Sequence, residues 1–170
     1  DFILDVIPYK DENVQIMYGI DRQKQLKEYS LDWLSGYENS SPVRVGNAAY
    51  KQKQHDIYGF VLDTIYQRLI DHPESLENLE EIWTVVRTFV RHVSNQWKKP
   101  DAGIWEIRGA KKHFVFSKVL CWVAIDRAIK IAEFLGQTHS IDDWIALREA
   151  IYTQVMTKGW NEEIQSFTQA

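Results

Sequence analysis

Apolar residues recur with a helical period from residue 58 onward. Tyr58, Val61, Leu62, Ile65, Tyr66 and Leu69 fall at i, i+3, i+4, i+7, i+8 and i+11, the stripe of an amphipathic helix running to about Ile70. Asp71-His72-Pro73 breaks it, and Ser75, followed by Asn78, predicts a capped restart. Leu79, Ile82, Trp83, Val86, Phe89, Val90, Val93 and Trp97 repeat the stripe in a second helix ending near Lys99-Pro100. A third helix, about His113 to Leu135, is apolar nearly all the way round from Phe114 to Ile125, except Ser117 and Lys118, which predicts neighbours on most sides. Gly136 supplies its stop and Ser140 caps a fourth, whose apolar face is Ile141, Trp144, Ile145, Ile151, Tyr152 and Val155, ending at Gly159.

Outside these stretches the pattern weakens. Asp1 to Ile7 reads as a helix tail stopped by Pro8, Val14 to Ile20 as a short strand, Ser35 to Pro42 as turn, and Glu163 to Ala170 as extended chain. The two helix pairs are each followed by a loop with Gly and Trp, Gly103-Ile104-Trp105 and Gly159-Trp160, a weak repeat of about 55 residues. Four amphipathic helices suit a closed bundle or one arc of a toroid of helical hairpins. The all-apolar third helix favours the arc.

Composition narrows the chemistry. Twenty basic against twenty-four acidic residues give a net charge of −4, too mild for a nucleic-acid footprint, and the basic clusters Lys98-Lys99 and Lys111-Lys112 are short. Aromatic content of 13%, with seven Trp, fits a large core or a sugar-lined cleft. The only cysteine, Cys121, sits in an apolar run and reads as a core thiol, with no zinc motif or disulfide framework available; this leans toward a reducing, cytoplasmic setting. No stretch is long and apolar enough to predict a membrane span. The first residue is Asp1 and the chain starts abruptly, so a piece of a longer protein is expected. His72, His92 and His139 lie too far apart for a metal site, and no phosphate loop or nucleophile elbow is present; no metal or cofactor is expected.

One stretch has a claim to reaction chemistry: Gly103-Ile104-Trp105-Glu106-Ile107-Arg108-Gly109. Burial in apolar surroundings disfavours the charged form of a carboxyl group, so Glu106 between Trp105 and Ile107 is expected to hold a proton near neutral pH. A general acid for a sugar leaving group needs that property. The competing reading of Glu106 is a solvated loop glutamate. Trp105 is a packing residue, a sugar platform or a shield for the acid, and Arg108 either a surface ion-pair partner or a group that orients a carboxylate or hydroxyl. Asn47, Gln54 and Asp56 precede the first full helix and are caps or sugar contacts, with His55 structural or on the surface. Lys118, inside an apolar run, must reach a partner carboxylate or a cleft. Trp33 and Tyr37 line outer subsites or anchor their own loop.

These motifs resemble bacterial glucoamylase-type enzymes of glycoside hydrolase family 15. The resemblance rests on Gln15-Ile16-Met17-Tyr18-Gly19, Leu31-Asp32-Trp33-Leu34-Ser35-Gly36-Tyr37, Ser41 to Ala49, Gln54-His55-Asp56-Ile57-Tyr58-Gly59, Asp101 to Gly109, His113-Phe114, Ser117-Lys118 and Gly159-Trp160. It implies an all-α fold, a segment of an (α/α)6 barrel with about four of its twelve helices. Residues 1–170 are then one partial domain from the first half of the catalytic barrel. It implies inverting hydrolysis of α-glucosidic bonds from non-reducing ends to release β-glucose, with Glu106 as general acid and Trp105, Arg108, Gln54, Asp56, Asn47 and Lys118 as substrate-side residues. The family's general base and the Arg-Asp pair that grips the terminal glucose fall outside this chain, so the isolated chain is expected to be inactive. Its partners are then an α-glucan oligosaccharide or disaccharide and the remainder of the barrel; no nucleic acid or membrane is implied, and the isolated piece is expected to self-associate. Ile107 stands where fungal members carry a second acidic residue, which leaves linkage and chain-length preference open. Trehalose-cleaving members share the scaffold, and the large subunits of phosphorylase kinase carry glucoamylase-like domains as sensing or assembly modules.

Overall fold

The computed structural model describes residues 14–73, 78–139 and 141–170, so the expectations for Asp1 to Ile7, Ser75 and Ser140 lie outside the described residues. The chain divides into two compact units. In the first, residues 15–53, a two-residue strand β1 (Tyr29–Ser30) pairs antiparallel with β2 (Arg44–Val45), Tyr29 opposite Val45. The strand expected over Val14 to Ile20 does not form. Its backbone groups are satisfied locally instead: the Gln15 side-chain amide donates to the carbonyls of Met17 (2.8 Å) and Lys24 (2.6 Å), and Gly19 N donates to Gln23 O.

The second unit holds four helices: α1 (Ile57–Asp71), α2 (Leu79–Gln96), α3 (Val115–Phe134) and α4 (Ile141–Gln154), the last continued by a π turn over Val155–Gly159. These are the helices the periodicity predicts, with ends within a few residues. The described chain is mostly helical, the make-up of a segment of an (α/α)6 barrel. α3 packs against α1, α2 and α4, so the all-apolar helix is the enclosed one. Gly59 lets α1 and α3 approach closely; a Cβ there would lie 2.4 Å from the Leu120 carbonyl oxygen. Leu62, Leu69, Val86, Phe89, Cys121, Ile125 and Ile131 are fully buried in this core. Burying each such side chain is worth about 1.5–3 kcal/mol.

Two features of α3 invert the sequence expectation. Ser117 and Lys118, the polar breaks in its apolar run, are buried, whereas Phe116 and Val119 are exposed. The reason lies in the partners. The Lys118 ammonium donates to the carbonyl oxygens of Trp97 and, at 2.8 Å, Lys99, satisfying groups left over at the end of α2, and the residue also lines a cleft with His113 and Lys158. Asp126 ties the same helix to its neighbours. It meets Arg127, Lys130 (2.9 Å) and, from α4, Arg148 (3.1 Å), and Arg127 also meets Asp63 of α1 at 2.6 Å. Burial pushes the Asp126 carboxyl up, but hydrogen bonds and charge from Lys130 and Arg127 outweigh it and hold it below the usual carboxylate range.

The C-terminal stretch, expected to be extended, forms a hairpin: β3 (Trp160–Asn161) pairs antiparallel with β4 (Ser166–Phe167). Gln169 O then accepts from Val115 N (3.0 Å), which pins the tail to the start of α3. No described helix is long and apolar enough to cross a membrane.

Candidate active site

The loop between α2 and α3 carries Glu106, and its geometry is set from the base upward. Asp101 and Lys112 exchange both backbone hydrogen bonds, at 2.9 and 3.0 Å, closing the loop at its neck. Gly103 takes φ +68°, and a Cβ there would lie 2.6 Å from the Phe114 ring, so glycine is required on both counts. Its carbonyl accepts from Glu106 N at 3.2 Å, making a turn with Ile104 and Trp105 at the corner. Glu106 itself has φ +52°, a left-handed conformation that costs a non-glycine residue about 1–2 kcal/mol. Such strain collects at functional sites.

At the tip, Trp105 is 76% exposed, and Ile104, Ile107 and Arg108 are exposed too, with Glu106 half-buried between them. Within this chain Trp105 is not part of the packed core. With Ile104, Phe114, Phe116, Val119 and Phe167 it lines an apolar cleft of about 440 Å³. Aromatic faces of this kind suit the flat face of a sugar ring. A larger cleft, about 700 Å³, lies between α2 and α4 around Trp83, Arg87, Arg91 and Trp144, so size alone does not pick out the Glu106 loop.

Below the loop lies a buried polar cluster at the head of α1. Gln54, His55 and Asp56 are 7%, 6% and 2% exposed and Asp101 1%. Asp101 Oδ2 accepts from the backbone N–H of His55 at 2.8 Å. Asp56 sits at the helix cap position but makes no capping bond, and its Oδ2, Asp101 Oδ1 and His55 Nδ1 are buried without a hydrogen-bonding partner among the described residues. Burial, then the neighbouring Asp101 charge, push the Asp56 carboxyl up to about 6. Burial lowers His55 to about 4 against the attraction of Asp101, so the imidazole is neutral at pH 7. His92 stacks on Tyr58 at 4.3 Å in the same region. Cys121, donating to His55 O, is pushed up to about 12 by burial and is an inert core thiol.

The expected site residues thus separate into groups. Trp105, Glu106 and Arg108 share the loop tip; Gln54 and Asp56 lie at the head of α1 beside the loop's base; Lys118 caps α2. Asn47 belongs to the first unit, where its side chain accepts from Ala49 N (2.9 Å) and caps the 3-10 turn Ala48–Lys51. Sequence reasoning passed over Asp101. The available signal was a carboxylate opening an otherwise small and apolar run, Asp101-Ala102-Gly103-Ile104. Among the described residues no three His, Cys, Asp or Glu side chains are grouped to hold a metal ion.

Comparison with known proteins places the chain in a family. Residues 3–170 match the family model described as glycosyl hydrolases family 15. Curated relatives include the trehalase of Mycolicibacterium smegmatis, 44% identical over 147 residues, which is 86% of this chain and 21% of the relative. The trehalase of Thermoplasma acidophilum is 36% identical over 167 residues, 98% of this chain and 28% of the relative, and trehalase 1 of Sulfolobus acidocaldarius 42% over 130 residues, 76% and 23%. The chain therefore spans 21–28% of the length of these relatives. No solved structure gives a significant match. A helical segment whose strained loop presents a carboxylate beside an exposed tryptophan, and which matches the family model from end to end, belongs to glycosyl hydrolase family 15.

Proposed function

We propose that this chain is the acid-bearing part of an inverting α-glucosidase and that its substrate is trehalose. Residues 1–170 would form one partial domain of the barrel, and the isolated chain would be inactive. Glu106 donates its proton to the glycosidic oxygen as the C–O bond breaks. A carboxylate outside this chain takes a proton from a water on the opposite face of the sugar, across a carboxyl separation of roughly 6.5–9.5 Å. Water adds at the anomeric carbon with inversion, so one glucose leaves as the β anomer and the other, departing with the proton from Glu106, keeps its α configuration.

The observation that carries this reading is the placement of Glu106: a left-handed residue on a tight turn, beside Trp105 and the apolar cleft, with the loop's neck buried. The relatives' names favour trehalose over the glucan polymers that a glucoamylase-type enzyme takes.

The test is glucose release by the full-length protein from trehalose, maltose and isomaltose, with the anomers followed by proton NMR. Trehalose is expected to be the best substrate and β-glucose to appear at the first time points. A clear preference for maltose would replace trehalose by a glucoamylase-type substrate. No glucose from any of the three would overturn the enzymatic reading and leave a carbohydrate-sensing or assembly module.

A further inference from the structure

Asp101 takes no part in the proton transfer described above, yet it is 1% exposed and bonded in three directions. Its N–H and C=O pair with Lys112 across the neck of the loop. Its carboxylate takes the backbone N–H of His55, immediately before the first turn of α1, where the positive end of the helix dipole favours an anion. The neck of the loop is thereby fastened to a buried helix rather than only to itself. From there the chain has little freedom on its way to the acid: Ala102 is 6% exposed, Gly103 has no room for a Cβ beside Phe114, and the Gly103–Glu106 bond closes the turn.

We propose that Asp101 is the positioning residue of the acid loop: its carboxylate latches the loop's base to the N-terminus of α1 and so fixes where Glu106 presents its proton. This rests on Glu106 being the general acid. A latch of this kind acts on the step that needs the acid and on little else. Misplacement by about 1 Å costs on the order of 100-fold in rate.

The test compares two substrates of the full-length protein, the preferred disaccharide and α-glucosyl fluoride, whose leaving group departs without a full proton from an acid. Asp101→Ala is expected to lower kcat on the disaccharide about 10- to 100-fold with KM within about threefold, while the fluoride rate stays within about threefold. Asp101→Asn keeps an acceptor for His55 N–H and is expected to recover to within about fivefold of wild type. Equal losses on both substrates, no loss on either, or failure of Asp101→Ala, Asp101→Ser and Asp101→Asn alike to fold would overturn the latch and leave Asp101 a core residue. Glu106→Gln, run in parallel, separates the two readings. If it retains disaccharide activity, the acid assignment fails. If it loses that activity and spares the fluoride while Asp101→Ala does not, only the latch fails.

Discussion

The neck and the tip of the acid loop are four residues apart and physically opposite. Asp101 is 1% exposed, held by backbone pairing and by a carboxylate bond to α1; Trp105 is 76% exposed at the corner of a turn. The neck is built by this chain's own helices. The tip has an apolar cleft at its side, with Trp105 and Ile107 exposed on either side of a half-buried Glu106. The difference separates two jobs that a catalytic carboxylate needs done. In the proposed enzyme, placement comes from the local backbone and the Asp101 latch, while the remaining barrel and the substrate complete the surroundings of Glu106.

Changes at the two ends should therefore have different signatures. The largest effect belongs to the tip: Glu106→Gln should cut hydrolysis of the preferred disaccharide by about 10²–10⁴-fold while the midpoint of thermal unfolding stays put. A comparable loss of stability would make Glu106 part of the framework and erase the contrast. Beneath the loop, Lys118→Met should cost about 2–3 kcal/mol in denaturant unfolding, because two carbonyls at the end of α2 lose a charged donor. An unchanged unfolding midpoint would mean those carbonyls find other partners.

The polar cluster under the loop predicts a pH signature of about 3 kcal/mol per group. Asp56 has a raised folded value, about 6 against 3.8, so its contribution is fully present below pH 3.8 and is lost as pH rises through 6. His55 is lowered to about 4 from 6.5, so its contribution is present above pH 6.5 and is lost as pH falls through 4. Between pH 4 and 6 the two slopes oppose one another. Asp56→Asn should unmask stability that rises with pH across that window, and His55→Gln stability that falls, read by urea unfolding at several pH values. The reverse signs would contradict the burial of either group. The smallest expected effect is Trp105→Ala on stability, within about 0.5 kcal/mol, with KM for substrate raised. A large destabilisation would return Trp105 to the core.

The helical half of the fold was legible because its signals are periodic and local. The stripe from Tyr58 to Leu69 and the nearly all-apolar run of α3 need only the 3.6-residue repeat to be read. The weaker elements were not. Val14 to Ile20 alternates like a strand, but Gln15 satisfies the backbone there with its side chain, which no hydropathy pattern encodes. Asp101 was passed over, and the partners of Lys118 could not be read, for a related reason: each is defined by a backbone group distant in sequence, His55 N–H in one case and the carbonyls of Trp97 and Lys99 in the other. Glu106 could be singled out because its neighbours in sequence, Trp105 and Gly103, are also its neighbours in the turn.

The most direct test of the account is the ratio of two rates for Glu106→Gln in the full-length protein, trehalose hydrolysis and α-glucosyl fluoride hydrolysis, each relative to wild type. A general acid at the loop tip predicts a loss of about 10²–10⁴-fold on trehalose and less than about tenfold on the fluoride. Equal losses on both substrates, or trehalose hydrolysis within about threefold of wild type, would contradict it.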